Sequence, residues 1–165
     1  MGMVGVPMRQ ETARAAIAER LARSKHLLGA LLVGSLAAGV ADAASDIDLL
    51  VCARPGRFGQ AWQDRHELHV TGALARWDDG PEPGREIAVH RWVTGDMVLV
   101  EALFTAPDNG VRLAQPWRLI AGGPDVVSSF APRPPIDRAE FGRAGAHPID
   151  LAFDDLKKAV RTAGG

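Results

Sequence analysis

The segment that most constrains the fold is residues 31–51, LLVGSLAAGVADAASDIDLLV. Its two apolar runs, each bounded by small or polar residues, predict two buried strands, and the alanine-rich stretch between them predicts a short helix. A glycine and a serine, Gly34 and Ser35, stand where the first strand passes into this helix. The segment therefore predicts a strand, a turn, a short helix and a second strand at the centre of the chain.

Two aspartates lie in the second of these strands. Asp46 and Asp48 are two residues apart, and positions i and i+2 of a strand point to the same face of a sheet. Two carboxylates held side by side repel each other unless a cation lies between them. Oxygen ligands from one or two carboxylates, completed by substrate phosphates, suit Mg²⁺. The spacing therefore predicts a magnesium site at Asp46 and Asp48.

The turn at Gly34 and Ser35 complements the two carboxylates. Unpaired backbone N–H groups at the start of a helix attract anions, and a glycine lets a phosphate approach the backbone closely. The Ser35 hydroxyl can donate a further hydrogen bond. Gly39 permits a tight exit from the short helix, and Ser45 turns the chain into the second strand. We therefore expect a phosphate to bind beside the cation.

The second informative region is a predicted β-hairpin formed by residues 86–93 and 97–104. Its second strand is apolar except for Glu101, and a carboxylate that is buried without a partner costs several kcal/mol. Two interpretations stay open: Glu101 binds the same cation as the two aspartates, or it is neutralised by an arginine or by exposure at a sheet edge. Asp96 is a rival for the first role, although the Gly-Asp turn of the hairpin already explains an aspartate there.

Together these residues resemble a known signature. It is that of the DNA polymerase beta-like nucleotidyltransferase superfamily, matched here by Gly34-Ser35, Gly39 and Ser45-Asp46-Ile47-Asp48-Leu49. The resemblance implies an α+β fold with a nucleotidyltransferase-type mixed β-sheet flanked by helices. It also implies transfer of an NMP from an NTP, with ATP expected, to a hydroxyl group. The implied site residues are Asp46, Asp48 and Glu101 as catalytic and Mg²⁺-binding carboxylates, and Gly34, Ser35 and Ser45 as nucleotide-binding residues.

The chain departs from the superfamily pattern at one point. Many small members carry arginines just after the Gly-Ser pair, where this chain has Leu36 and Ala38. The alternative hypothesis is therefore a catalytically degenerate module, similar to an antitoxin, that binds a nucleotide or another protein. For an active enzyme, the resemblance allows a small-molecule or protein acceptor. A second copy of the chain in a homodimer, a partner protein or an open cleft that receives a small molecule would supply the acceptor surface.

Composition narrows the range of partners and compartments. A formal net charge of −1 provides no basic field to gather nucleic acid, which argues against a long nucleic acid as substrate. No uninterrupted apolar run of about twenty residues predicts a membrane span, and the first residues lack the apolar core of a signal peptide. The single cysteine, Cys52, excludes an intrachain disulfide and is typical of a small buried residue. We therefore expect a cytoplasmic protein.

The length of 165 residues suits one domain. We predict a nucleotidyltransferase-like domain in residues 1–130. Residues 131–165 are predicted to form a proline-rich spacer and a C-terminal helix that packs on the domain. Further helices are predicted over residues 10–28 and from residue 58 onward, with a short strand over residues 71–77 as the alternative to a longer second helix.

The five histidines show no metal-ligand spacing in the sequence. His66 and His69 are three residues apart and share a face if their segment is helical. No cysteine or further histidine stands close to them along the chain. The pattern is therefore typical of a surface pair rather than of a metal site.

Overall fold

The computed structural model describes residues 8–132 of the chain. Within this range the protein has an α+β architecture with four α-helices and a six-stranded mixed sheet, which confirms the predicted α+β class. The helices are α1 (Met8–Arg23), α2 (Gly34–Ala38), α3 (Phe58–Gln63) and α4 (Pro124–Ser128), and a 3₁₀ helix spans Asp64–Leu68. The strands are β1 (Leu27–Val33), β2 (Ile47–Ala53), β3 (Ala75–Asp79), β4 (Ile87–Val93), β5 (Leu99–Thr105), β6 (Arg112–Leu113), β7 (Arg118–Gly122) and β8 (Ala131–Pro132).

Strand β2 lies in the interior of the sheet. The strand order is β3-β4-β5-β2-β1-β7, and all neighbours are antiparallel except β2 and β5, which run parallel. β6 and β8 form a separate short parallel pair. An interior strand that packs on both faces must be apolar along most of its length. This position explains why β2 is a continuous apolar run with Asp48 as its one charged residue.

The side chains of β2 alternate between two hydrophobic clusters. Ile47, Leu49 and Val51 pack in a cluster with the apolar stripe of α1, on what we call the helical face of the sheet. Leu50 and Cys52 pack in a second cluster with residues of α4, on what we call the cleft face. Burial raises the pKa of the Cys52 thiol to about 11, so the thiol is protonated at neutral pH. The prediction that Cys52 is a small buried residue is confirmed.

Helix α1 is shorter than the sequence predicted. Its stripe of Ala13, Ile17 and Leu21 is buried on the helical face, as expected. The helix ends at Arg23, however, and Leu28 belongs to β1 and contacts the cluster of the cleft face. The physical reason is that LLGALLV is apolar throughout, and such a run is buried on both faces as a strand but would expose one apolar side as a surface helix.

The predicted hairpin is confirmed, with β4 and β5 paired antiparallel along their whole length. The helix predicted from residue 58 is short: α3 ends at Gln63, and the chain continues as the 3₁₀ helix and then as β3. The alternative of a short strand over residues 71–77 is therefore correct in part, since β3 begins at Ala75 and pairs with β4.

The last described elements, α4 and β8, lie on either side of the predicted boundary at residue 130. Helix α4 contributes to the cluster of the cleft face, and β8 pairs with β6. The predicted C-terminal helix and most of the proline-rich spacer, residues 133–165, lie outside the described residues. Among the helices of residues 8–132, none is long and apolar enough to cross a membrane.

Candidate functional site

A cleft of about 390 Å³ opens on the cleft face of the sheet. It lies where β1 passes into α2, beside the N-terminal part of β2 and the middle of β5. The lining residues are Val33, Gly34, Asp48, Leu49, Leu50, Glu101, Leu103 and residues 111–114. The cleft therefore combines two carboxylates with a largely apolar lining.

Asp48 and Glu101 are nearest neighbours across the parallel pair of β2 and β5. Adjacent strands lie about 4.8 Å apart, and residues in register point to the same face of the sheet. Both side chains line the cleft, and both residues are partly buried. The structure therefore brings together two of the three carboxylates that the sequence singled out, from positions that are 53 residues apart in the sequence (101 − 48).

Glu101 also has a partner on its other side. Arg91 lies opposite Glu101 across the antiparallel pair of β4 and β5, and its Nε donates a hydrogen bond of 2.7 Å to Glu101 Oε2. The Arg91 side chain is 10% exposed and the Glu101 side chain is 41% exposed. The arginine partner that the sequence left open as an alternative is thus present, and Glu101 stands between Asp48 and Arg91.

Gly34 is required by its contact with Asp48. Its φ is +71°, a left-handed conformation, and a Cβ placed on it would lie 2.3 Å from Asp48 Oδ2. Only glycine both adopts this φ without strain and leaves the space in front of the carboxylate open. The turn after β1 and the carboxylate of β2 are therefore fitted to each other.

The remaining predicted residues lie beside the cleft rather than in its lining. The expectation that both aspartates lie in one strand is wrong, because β2 begins at Ile47 and Asp46 belongs to the loop before it. Asp46 is partly buried, and Ser35 lies in the first turn of α2. Within residues 8–132, the carboxylate oxygens of Asp46, Asp48 and Glu101 are not all within 4.8 Å of one another. Asp96, the rival for the third carboxylate, is exposed in the hairpin turn.

Ser45 has a structural role in the loop that leads to Asp46. Its hydroxyl accepts a hydrogen bond of 2.9 Å from the Asp42 backbone N–H and donates one of 3.0 Å to Asp42 Oδ1. Gln10, a buried residue of α1, donates through its Nε2 to the carbonyl oxygens of Asp42, Ala43 and Ser45, each at 3.2 Å. Helix α1 thus fixes the loop on which Asp46 is carried, a contribution that the sequence did not indicate.

Arg112 is a cleft residue that sequence reasoning missed. It is exposed, and it lines the wall of the cleft formed by residues 111–114. The expected arginines after the Gly-Ser pair are replaced by Leu36 and Ala38, but Arg112 supplies a positive charge to the same cleft from β6. No local pattern marks this residue, because only the tertiary fold brings β6 next to the turn after β1.

A second cluster of polar side chains lies on the helical face. His66, His69 and His90 each present one ring nitrogen, and these atoms all lie within 4.8 Å of one another. The premise that no third histidine stands near His66 and His69 therefore does not hold in the fold, although His66 itself is exposed as a surface residue would be. Pairing of β3 with β4 brings His90 beside the 3₁₀ helix, 21 residues after His69 in sequence. The signal in the sequence was a histidine on the buried side of β4, where Ala88 and Trp92 face the core.

Hydrogen bonds order the rings of this histidine cluster. His90 Nδ1 lies 2.6 Å from Asp78 Oδ1, and His90 Nε2 lies 2.8 Å from His69 Nε2. Burial, followed by the charges of His90 and His66, lowers the pKa of His69 to about 4. Burial also lowers the pKa of His90, against the opposing effect of Asp78, and lowers that of His66. All three imidazoles are therefore neutral at neutral pH.

Comparison with known proteins gives no family assignment. No family model matches the chain, and no curated protein matches it.

The contact between Gly34 and Asp48 predicts a coupling that stability measurements can detect. Gly34→Ala and Gly39→Ala both place alanine at nearly the same left-handed φ, 71° and 72°, which costs about 1–2 kcal/mol in each case. Only the Cβ at position 34 meets the Asp48 carboxylate, since nothing lies within 4 Å of a Cβ at position 39. We expect Gly34→Ala to lose a further ~1 kcal/mol of unfolding free energy, measured by urea denaturation.

A double-mutant cycle isolates this contact. In the Asp48→Ala background, which removes the carboxylate, the cost of Gly34→Ala should fall to that of Gly39→Ala. An unchanged cost of Gly34→Ala in that background would show that the fit between the turn and Asp48 has no energetic consequence.

Proposed function

We propose that this chain is a metal-dependent nucleotidyltransferase of the DNA polymerase beta-like kind. It moves an NMP from an NTP, with ATP the expected nucleotide, to a hydroxyl group of a small molecule or a protein. The observation that carries the proposal is the juxtaposition of Asp48 and Glu101 in register on β2 and β5, directly beside the glycine turn at Gly34. The Gly-Ser and Asp-x-Asp signature supports the same assignment.

The donor atoms of the cleft fit an oxygen-liganded cation. Asp48 and Glu101 offer carboxylate oxygens from adjacent strands, and Gly34 leaves open the space in front of Asp48 that any Cβ would fill. Such an oxygen donor set suits Mg²⁺ rather than a softer metal ion. Asp48, Glu101 and, from the loop before β2, Asp46 are the residues proposed to hold it. Mg²⁺ bound there would neutralise charge on the triphosphate and on the leaving group.

The protein groups around the cleft have separate tasks in this scheme. Backbone N–H groups at Gly34 and Ser35 donate to phosphate oxygens; α2 spans only five residues, so hydrogen bonding outweighs its dipole. Arg112 adds a positive charge beside the phosphates. Glu101 accepts the proton of the acceptor hydroxyl, whose oxygen forms the new bond to the α-phosphorus as the bond to pyrophosphate breaks. Ser45 keeps the loop of Asp46 in place.

The surroundings of the cleft bear on the acceptor. Leu50, Leu103 and Leu113 contribute apolar surface to the lining, which suits an acceptor with an apolar part next to its hydroxyl. The formal net charge of −1 argues against a long nucleic acid. We therefore propose a small molecule or a protein as the acceptor, with a second copy of the chain or a partner protein extending the acceptor surface.

Removal of the Asp48 charge should abolish transfer. We expect Asp48→Asn to lower the rate of Mg²⁺-dependent pyrophosphate release from ATP by at least ~1000-fold, because the amide is a poor ligand for the cation. The assay follows pyrophosphate over a panel of hydroxyl-bearing small molecules and proteins. Asp79→Asn is the matched control, since Asp79 is an exposed aspartate on the edge strand β3. Full activity of Asp48→Asn would rule out the proposed mechanism.

Arg112 should contribute to nucleotide affinity rather than to the fold. We expect Arg112→Gln to weaken Mg²⁺-ATP binding about tenfold, measured by isothermal titration calorimetry, because one charge-assisted hydrogen bond is lost. The effect should shrink as salt is raised, since Arg112 is exposed. Arg76→Gln, which removes an exposed arginine from β3, should leave the affinity unchanged. Equal losses in both variants would indicate a general effect of charge and not a contact in the cleft.

A second candidate function is a nucleotide-binding or protein-interaction module without transferase activity. The observation that favours it is the ion pair of Glu101 with Arg91, in which one carboxylate oxygen already has a fixed partner at 2.7 Å. An arginine that satisfies Glu101 permanently would leave Asp48 without the help of a second carboxylate. The same cleft would then bind a nucleotide without promoting its reaction.

Glu101→Gln separates the two candidates. The glutamine amide oxygen can still accept the hydrogen bond of Arg91 Nε, so the fold is preserved while the negative charge is lost. For a transferase, pyrophosphate release should fall at least ~100-fold while the dissociation constant of Mg²⁺-ATP changes far less. For the module, the wild-type chain binds Mg²⁺-ATP but releases no pyrophosphate with any acceptor, and Glu101→Gln leaves binding unchanged.

A further inference from the structure

We propose that His66, His69 and His90 form a binding site for a divalent transition-metal ion, best matched by Zn²⁺, on the helical face of the sheet. This site is distinct from the cleft of Asp48 and Glu101, because His90 and Arg91 are consecutive residues of β4 and point to opposite faces. It does not depend on the proposed nucleotidyl transfer. Imidazole nitrogens suit Zn²⁺ and its neighbours in the first transition row, whereas Mg²⁺ prefers oxygen.

The distances among the three rings fit ligation of one ion. One nitrogen from each ring lies within 4.8 Å of the other two, and the Nε2 atoms of His69 and His90 are 2.8 Å apart. Two histidine nitrogens bound to a tetrahedral zinc at about 2.0–2.1 Å lie roughly 3.3 Å from each other. The pair therefore has to separate by only about half an ångström to admit the ion, a change that small side-chain rotations can supply.

Asp78 orients His90 as a ligand. A carboxylate only accepts hydrogen bonds, so His90 Nδ1 carries the proton and donates it to Asp78 Oδ1 at 2.6 Å. The neutral ring then has its lone pair on Nε2, the atom that faces His69. Arg65 holds Asp78 in turn, with Nη2 at 2.7 Å from Asp78 Oδ2 and Nε at 3.2 Å from Asp78 Oδ1. Histidines that bind zinc commonly donate the N–H of their other ring nitrogen to a carboxylate in this way, which fixes the orientation of the ring.

The local structure explains why the rings converge. In a 3₁₀ helix the positions i and i+3 eclipse each other, and His66 and the residue that follows the helix, His69, are three apart. Their ring centroids lie 5.3 Å from each other. Trp92 packs against both His69 and His90, with centroid distances of 5.1 and 5.2 Å. The cluster thus has an apolar wall behind it, which limits competition from water on that side.

The site has a closed side and an open side. His90 is buried, His69 is partly buried and His66 is exposed. Three histidine ligands leave one position of a tetrahedral ion for water, as in zinc sites with an exchangeable ligand. The ion would also connect the 3₁₀ helix to β4, so its binding should stabilise the folded chain.

The competing interpretation is a hydrogen-bonded histidine cluster that binds no ion. Zinc titration of the untagged, chelator-treated full chain decides between the two, by isothermal titration calorimetry at neutral pH. We expect one equivalent of Zn²⁺ to bind with a dissociation constant in the micromolar range or tighter, and to raise the melting temperature by several degrees. Co²⁺ in place of Zn²⁺ should give the visible absorption of a tetrahedral site, and Mg²⁺ should not compete.

Variants assign the binding to this cluster. His66→Gln and His69→Gln should each weaken Zn²⁺ binding at least ~10-fold, and His66 is exposed, so its variant should fold normally. Asp78→Asn should retain the site with an affinity about 10–100-fold lower. His26→Gln is the matched control, because His26 lies outside the cluster. Asp48→Asn should bind Zn²⁺ as the wild type does. Loss of zinc binding and loss of the proposed transfer activity can therefore be distinguished.

Two results would overturn the proposal. The first is the absence of saturable binding near one equivalent in the wild-type chain. The second is binding that persists unchanged in the His66→Gln, His69→Gln double variant, which would locate the ion elsewhere on the protein.

Discussion

The parallel pairing of β2 with β5 is the interaction on which the rest of the structure depends. It joins the unit of β1, α2 and β2 to the sheet formed by β3, β4 and β5, and it lies at the middle of the strand order. The same pairing fixes the register that sets Asp48 beside Glu101. A shift of one residue would turn Glu101 to the opposite face and bury it among the apolar side chains of the helical face. Hydrophobic packing on both faces therefore determines the register, and the register determines which charged groups meet.

Alternate side chains of β4 point to opposite faces of the sheet, so neighbouring residues of this strand belong to different sites. His90 points to the helical face, where the 3₁₀ helix brings His66 and His69. The next residue, Arg91, points to the cleft face and pairs with Glu101. Both His90 and Arg91 thus have hydrogen-bond partners on their own face of the sheet. A polar group buried without such a partner would be costly, so these partners allow β4 to stay in the sheet.

The sequence predicted the elements of the cleft that are set by neighbouring residues better than it predicted the contacts between distant parts of the chain. The turn at Gly34, the short helix after it and the apolar strand with Asp48 are set by neighbours along the chain, and these predictions hold. Arg91 as the partner of Glu101 was one of two open interpretations, because the alternation of β4 does not reveal its register with β5. Arg112 was missed since β6 reaches the cleft only through tertiary packing.

The histidine cluster was misjudged for the same reason. Spacing along the chain relates His66 to His69 but not to His90, which arrives through the pairing of β3 with β4. A buried histidine on an otherwise apolar strand side was the one local sign that a polar partner had to exist. It did not say which residues would supply that partner, because Asp78 and His69 come from two different elements.

The charge balance at Glu101 has a consequence for how a cation would bind in the cleft. Arg91 offsets one of the two negative charges that Asp48 and Glu101 bring to neighbouring positions. A divalent ion held by this pair alone would therefore leave net positive charge in a partly apolar cleft, where charge is costly unless it is balanced. The phosphates of a nucleotide would supply the balancing charge. The proposed cation and nucleotide should accordingly bind together more tightly than either binds alone, because each neutralises the charge that the other leaves unbalanced in the cleft.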